Sequence, residues 1–162
     1  MDITPHWPAI KKVFGDALNT SLHYAVATVN SDGTPHLTPV GSLILRDNPS
    51  GFFFDEFLQT LAGNIKQNPR VCVLAVNSSR LFWYRSLWQG RFRQAPAIRL
   101  TGTVGDRRPA TPAELEMFQR RLRPFRRLKG YKILWQNMSK VRDITFDGFR
   151  PVEAGAMSRG IW

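Results

Sequence analysis

Few residues in this sequence have the types and spacing that catalysis needs. Cys72 lies in the middle of the run VCVLAV, where a thiol reads as a small buried hydrophobe rather than a nucleophile. No Gly-x-Ser-x-Gly elbow is present. The three histidines, His6, His23 and His36, fall in three different predicted elements and form neither HxH nor HExxH, so a metal centre is not expected. His36 borders a predicted hairpin turn, two residues before Thr38. It is a candidate ligand contact, with an exposed strand histidine as the alternative. Neither GxGxxG nor GxxxxGK(S/T) occurs, which removes the main support for a Rossmann or P-loop nucleotide site. Asp55 and Glu56 are adjacent at the end of a predicted strand, and adjacent strand residues point to opposite faces. They do not make an acid/base pair.

Charge and aromatic residues carry more information. The chain of 162 residues has 23 Lys and Arg against 12 Asp and Glu, a formal charge of +11. An anionic partner is therefore expected, whether nucleic acid, membrane surface or a phosphorylated small molecule. Seven basic residues and no acid lie between Arg120 and Lys132, interleaved with Phe125 and Tyr131 and followed by Trp135. That mixture suits base stacking combined with phosphate contacts. It equally suits a solvated face whose arginine stems cover apolar surface. Arg80, Arg85, Arg91 and Arg93 surround the aromatic stretch Phe82-Trp83-Tyr84 in the same way.

These residues must be held by a scaffold, and the patterning suggests one domain spanning residues 1–162. Residues 4–18 read as an amphipathic helix with Thr4 as N-cap, Pro5 at its first position, and Trp7, Ile10, Phe14 and Leu18 at helical spacing. Residues 23–45 read as a β-hairpin turning at Asp32-Gly33, with Pro35 and Pro39 pushing its second strand to an edge or a bulge. A third strand is expected from Gly51 to Phe57, a short helix over 58–67 ended by Asn68-Pro69, and a doubly covered strand at RVCVLAVN. RLFWYRSLW and AIRLTGTVGDRR read as further strands. Thr111-Pro112-Ala113-Glu114 is a capping box opening a helix that Pro124 should end, and a last strand follows near DITFDGFRP. The sum is mainly β (α+β): about six antiparallel strands forming a small barrel or curved sheet with peripheral helices. The longest apolar run, Val71 to Val76, is far short of a bilayer span, and the first 18 residues lack an apolar signal-peptide core. One cysteine excludes a disulfide framework within the chain. A cytoplasmic protein with no membrane partner is expected.

Three stretches in order carry a family resemblance. Ala25–Val29 followed by Asp32-Gly33-Thr34-Pro35-His36-Leu37-Thr38-Pro39-Val40, then Asn64-Ile65 with Asn68-Pro69-Arg70-Val71, then Ile98–Val104, resemble the pyridoxamine 5'-phosphate oxidase-like FMN-binding split-barrel proteins. The resemblance implies a six-stranded antiparallel split β-barrel, a homodimer with two FMN sites at the subunit interface, and an oxidoreductase acting on a small molecule. It places Thr38, Pro39 and Val40 against the isoalloxazine, and the strand end at Phe54 and Asp55 with the following helix (Thr60, Asn64, Lys66) near the phosphate. The sequence departs from the family at that point, because Asp55-Glu56 and Gln59-Thr60-Leu61 stand where Ser/Thr and a Ser-Arg-Lys-like stretch are usual. An ionised Asp55 would repel a phosphate. Thr60, Lys66 or a partner's arginine such as Arg85 would have to compensate. The alternatives are the same barrel holding haem or a deazaflavin, or a cofactor-less barrel that binds nucleic acid through the basic segment and Trp135, or a protein partner.

Overall fold

Alternating side chains set the sheet of this protein, whose computed structural model describes residues 2–161. The strands are β1 (Tyr24–Val29), β2 (Pro35–Val40), β3 (Ile44–Leu45), β4 (Ser50–Phe54), β5 (Arg70–Val76), β6 (Ala97–Pro109) and β7 (Lys140–Pro151). They form one sheet in the order β2-β1-β5-β6-β7-β4-β3, and its pairings are antiparallel. Along β1 and β5 every second residue turns inward: Tyr24, Val26 and Thr28, and Val71, Val73 and Ala75. Helix α1 (Trp7–Ser21) closes that inner face with Trp7, Ile10, Val13, Phe14 and Ala17. The Tyr24 hydroxyl donates to the Phe14 carbonyl at 3.0 Å.

The described residues form seven strands where six were expected. The second arm of the hairpin breaks after Val40, because residues 41–43 leave β1 and cross over so that Ile44–Leu45 pair with β4 as β3. Gly41 makes the crossing possible: a Cβ there would stand 2.8 Å from the Leu22 carbonyl oxygen. The expected strand to Phe57 stops at Phe54, and all five residues of β4 are buried. Phe53 enters the main core, whereas Phe52 and Phe54 face a second apolar cluster with Phe118, Leu122, Tyr131 and Val141. Helix α4 (Pro112–Arg121), a 3-10 turn at Arg123–Phe125 and helix α5 (Lys129–Leu134) cover that second cluster.

The largest correction concerns residues 80–89. RLFWYRSLW is helix α3 (Arg80–Gln89), not a strand. The Ser79 hydroxyl accepts from the Phe82 amide at the N-terminus, and Gly90, at φ +64°, closes the C-terminus in the left-handed region. These caps outweigh the β preference of Phe, Trp and Tyr. Helix α2 (Gln59–Gln67) lies where it was expected. Among the described residues no helix is long and apolar enough to cross a membrane.

Candidate functional site

Where β2 ends, the chain builds an apolar cavity of about 520 Å³, within the range that small-molecule sites occupy. One wall is Pro39, Val40, Gly41 and Ser42, and the floor is Phe54. Leu22 and His23, after α1, form the rim on one side. Phe118, Arg121 and Leu122 from α4, with Pro124, Phe125, Trp135 and Met138, form the opposite wall. Local contacts fix this shape. Ser42 Oγ donates to the Phe54 carbonyl at 3.3 Å and accepts from the Phe54 amide at 3.1 Å, which ties the crossing loop to β4. Phe118 stacks on Phe54 with ring centres 4.4 Å apart, and Phe125 and Trp135 pack at 6.0 Å.

Arg121 is the charged group in the wall. Its Nη1 donates to the Gly41 carbonyl at 3.2 Å and the Leu43 carbonyl at 2.6 Å, bridging α4 to the crossing loop. Burial pulls its pKa below the usual arginine value, although a guanidinium keeps its charge at any physiological pH. None of the residues lining the cavity is Asp or Glu. The cavity can therefore take a planar, largely apolar molecule and offers positive charge on one side.

The cavity gathers Pro39, Val40, Phe54 and Trp135 from the candidates singled out in the sequence. The others stand elsewhere. His36 and Thr38 lie farther along edge strand β2 and bond to each other, Nε2 to Oγ1, at 2.8 Å. Asn64 is buried and structural, donating to Thr28 Oγ1 at 3.0 Å and Asn30 Oδ1 at 2.9 Å. Thr60 and Lys66 are exposed on α2. Arg85, on α3, lines a separate polar groove of about 450 Å³ shared with Lys12, Asp16 and Asn77 of α1 and the β5–α3 connection. Asp55 points inward, where its carboxylate accepts from Arg142 Nε at 2.5 Å with both side chains almost wholly buried. Arg107 adds a second cation 3.9 Å away. Glu56 Oε1 accepts from the Ser139 and Lys140 amides, while its Oε2 is buried without a partner.

Sequence reasoning missed the cavity roles of Phe118, Phe57 and Ser42, which carry no motif. Arg121 was visible only as one member of a basic run. That run does not present its aromatic residues outward: Tyr131 is buried, and Phe125 and Trp135 face the cavity, while Arg123, Arg126 and Arg127 are exposed. Cys72 is half-buried, and burial pushes its thiol pKa up, as an inert side chain requires. Among the described residues no group of three His, Cys, Asp or Glu could hold a metal ion.

The fold has many relatives. HupZ of Group A Streptococcus superposes with a TM-score of 0.58 at 18% identity, covering 91% of this chain and 96% of that one. An FMN-binding protein from Syntrophomonas wolfei gives 0.59 at 10% identity, covering 91% and 88%. HutZ, the heme storage protein of Vibrio cholerae, gives 0.55 at 13%, covering 89% and 92%. These likenesses are of fold alone. No curated protein matches the sequence. The family model for pyridoxamine 5'-phosphate oxidase matches residues 10–144, a span that runs from within α1 into the first half of β7 and includes every wall of the cavity. The chain belongs to the pyridoxamine 5'-phosphate oxidase family.

Proposed function

We propose that this protein is an FMN-binding flavoprotein of that family, with the isoalloxazine seated in the cavity at the end of β2, and that it acts as a homodimeric oxidoreductase on a small molecule. The observation that carries the reading is the cavity itself: Pro39 and Val40, the strand end from which the resemblance draws ring contacts, face aromatic walls from Phe54, Phe118, Phe125 and Trp135. A planar tricyclic ring needs apolar faces of this kind. A bound flavin supplies the two-electron chemistry, so the protein's own work is to hold the ring and exclude water. That division of labour agrees with the lack of an acid/base pair at the site. The strand end after Phe54 suits the phosphate less well, because Asp55 is already neutralised by Arg142 and one oxygen of Glu56 has no donor.

Absorption between 300 and 700 nm tests the reading, on protein purified without added cofactor and again after FMN incubation and desalting. Flavin bands that persist through desalting are expected; a protein that stays colourless and does not quench FMN fluorescence overturns it. Haem is the second reading, favoured by His23, whose exposed imidazole stands at the cavity rim and could serve as an axial ligand. A Soret band that is lost in His23→Ala would establish haem instead.

The dimer is supported by the outer face of β2, β1 and β5. Register brings Leu37, Ala27 and Cys72 into one row, and Pro39, Ala25 and Leu74 into the next. Leu37 is 65% exposed, and Val29 and Val76 are exposed toward opposite ends of the same face. An apolar sheet face without cover marks an interaction surface.

A further inference from the structure

We propose that Arg121 is the anion anchor of the cavity, so that its ligand carries an acidic group, a phosphate monoester or a carboxylate, on an otherwise apolar planar body. The proposal rests on the cofactor reading above and reassigns the anionic end from the β4 terminus to α4. Three observations converge. Arg121 lines the cavity, and no carboxylate lines it with it. The two carbonyls that Arg121 contacts occupy Nη1 alone. Among the described residues its Nε and Nη2 have no hydrogen-bond partner and no ion pair. Most other inward cations of this chain are matched by acids: Arg142 by Asp55, and Arg46 and Arg108 by Glu114 and Asp143. A partly desolvated guanidinium with free donors is costly unless an anion joins it, and its fork fits phosphate or carboxylate oxygens. The exposed arginines 123, 126 and 127 lie just beyond the 121–122 wall and add positive potential that draws an anion toward that side. At the alternative location, the end of β4, the unpartnered Glu56 Oε2 repels one.

FMN and riboflavin share a ring and differ in the phosphate, so the two titrated by fluorescence quenching against wild-type protein, Arg121→Gln and Arg121→Lys isolate the anchor. Wild type should prefer FMN to riboflavin by roughly 10- to 100-fold, as charge-assisted hydrogen bonds imply. In Arg121→Gln the ratio of the two affinities should fall to about one, even where the lost bridge to Gly41 and Leu43 weakens both flavins, and Arg121→Lys should retain part of the preference. In wild type alone, where no substitution disturbs the loop held by Arg121, added salt and inorganic phosphate should weaken FMN but not riboflavin. A preference for FMN that survives in Arg121→Gln, or that ignores salt in wild type, overturns the anchor. If wild type binds neither flavin, the flavin reading falls separately. Hemin, whose propionates are carboxylates, then becomes the probe: weaker binding to Arg121→Gln supports the anchor, while equal binding, or binding to neither protein, overturns it.

Discussion

At the scale of single residues, the Asp55–Arg142 pair shows how a side chain's chemistry depends on a partner that the sequence does not reveal. Asp55 is conspicuous in the sequence, as an acid where a phosphate would sit. Its partner lies 87 residues away and is delivered by the register of β4 on β7, which sets Phe53 opposite Arg142 and Phe54 opposite Val141. Register depends on pairing across the whole sheet, and a slip of one residue would turn Arg142 outward. Both side chains are nearly inaccessible, Arg142 6% and Asp55 3% exposed, so removing Asp55 strands Arg142 as an unpaired charge. Asp55→Ala should therefore lower the unfolding free energy by about 3–5 kcal/mol, measured by urea denaturation. A loss below about 1 kcal/mol would mean that water already reaches Arg142. The cavity residues follow the same rule. Pro39 and Val40 were legible through family resemblance, whereas Phe118 and Arg121 reach the site only because α4 folds back over Phe54.

At the scale of elements, one expected cap is present and one is not: Thr4 does not cap α1, because Thr4–His6 form a 3-10 turn and the helix begins at Trp7 with no side-chain cap. The Thr111–Glu114 box is present as read, with the Thr111 hydroxyl accepting from the Glu114 amide and Glu114 accepting from the Thr111 amide. In α3 the equivalent groups are Ser79 and Gly90, whereas the strand expectation rested on Phe82-Trp83-Tyr84 and their neighbours. Those residues suit either state, and here the rings of Phe82 and Trp83 both pack on Phe92. Glu114 does more than cap. It accepts from Arg108 at 2.7 Å and Arg46 at 2.8 Å, and both arginines also bind Asp143 of β7, so α4 is fastened to the sheet through charge. The Arg108 guanidinium holds the Glu114 and Asp143 carboxyls down to about 2 each. Folded values below unfolded ones mean stabilisation that is complete above the unfolded carboxylate range, about pH 4–5. It is lost as pH falls from there through about 2. The melting temperature of wild type should drop across that window, and Glu114→Gln should start lower at pH 7 and drop less. Parallel curves for the two proteins would dissociate the cluster from acid unfolding. Because α4 carries one wall of the cavity, ligand release should accompany the same acid transition.

At the scale of the whole molecule, strand patterning made the mainly β class legible, and the outer sheet face explains why alternation was imperfect. Ala25, Ala27, Cys72 and Leu74 are apolar on the side where a solvated sheet would be polar, which is why RVCVLAV read as covered on both faces. A second copy would supply the cover that one chain lacks. In an isologous dimer each substitution acts twice at the interface, so Leu37→Glu brings in two like charges. Leu37 is well exposed in the single chain, so the fold should survive while the proposed dimer dissociates to monomer in sedimentation velocity. Salt adds an independent check on what drives the association. Each chain carries +11, so two copies repel through a field that salt screens, whereas burial of Leu37, Val29 and Val76 is not weakened by salt. Raising ionic strength should therefore tighten the proposed dimer while loosening an anionic ligand at the proposed Arg121 anchor. Dimer and ligand affinities that fall together with salt would point to an interface built from ion pairs, and the apolar sheet face would then not be the contact.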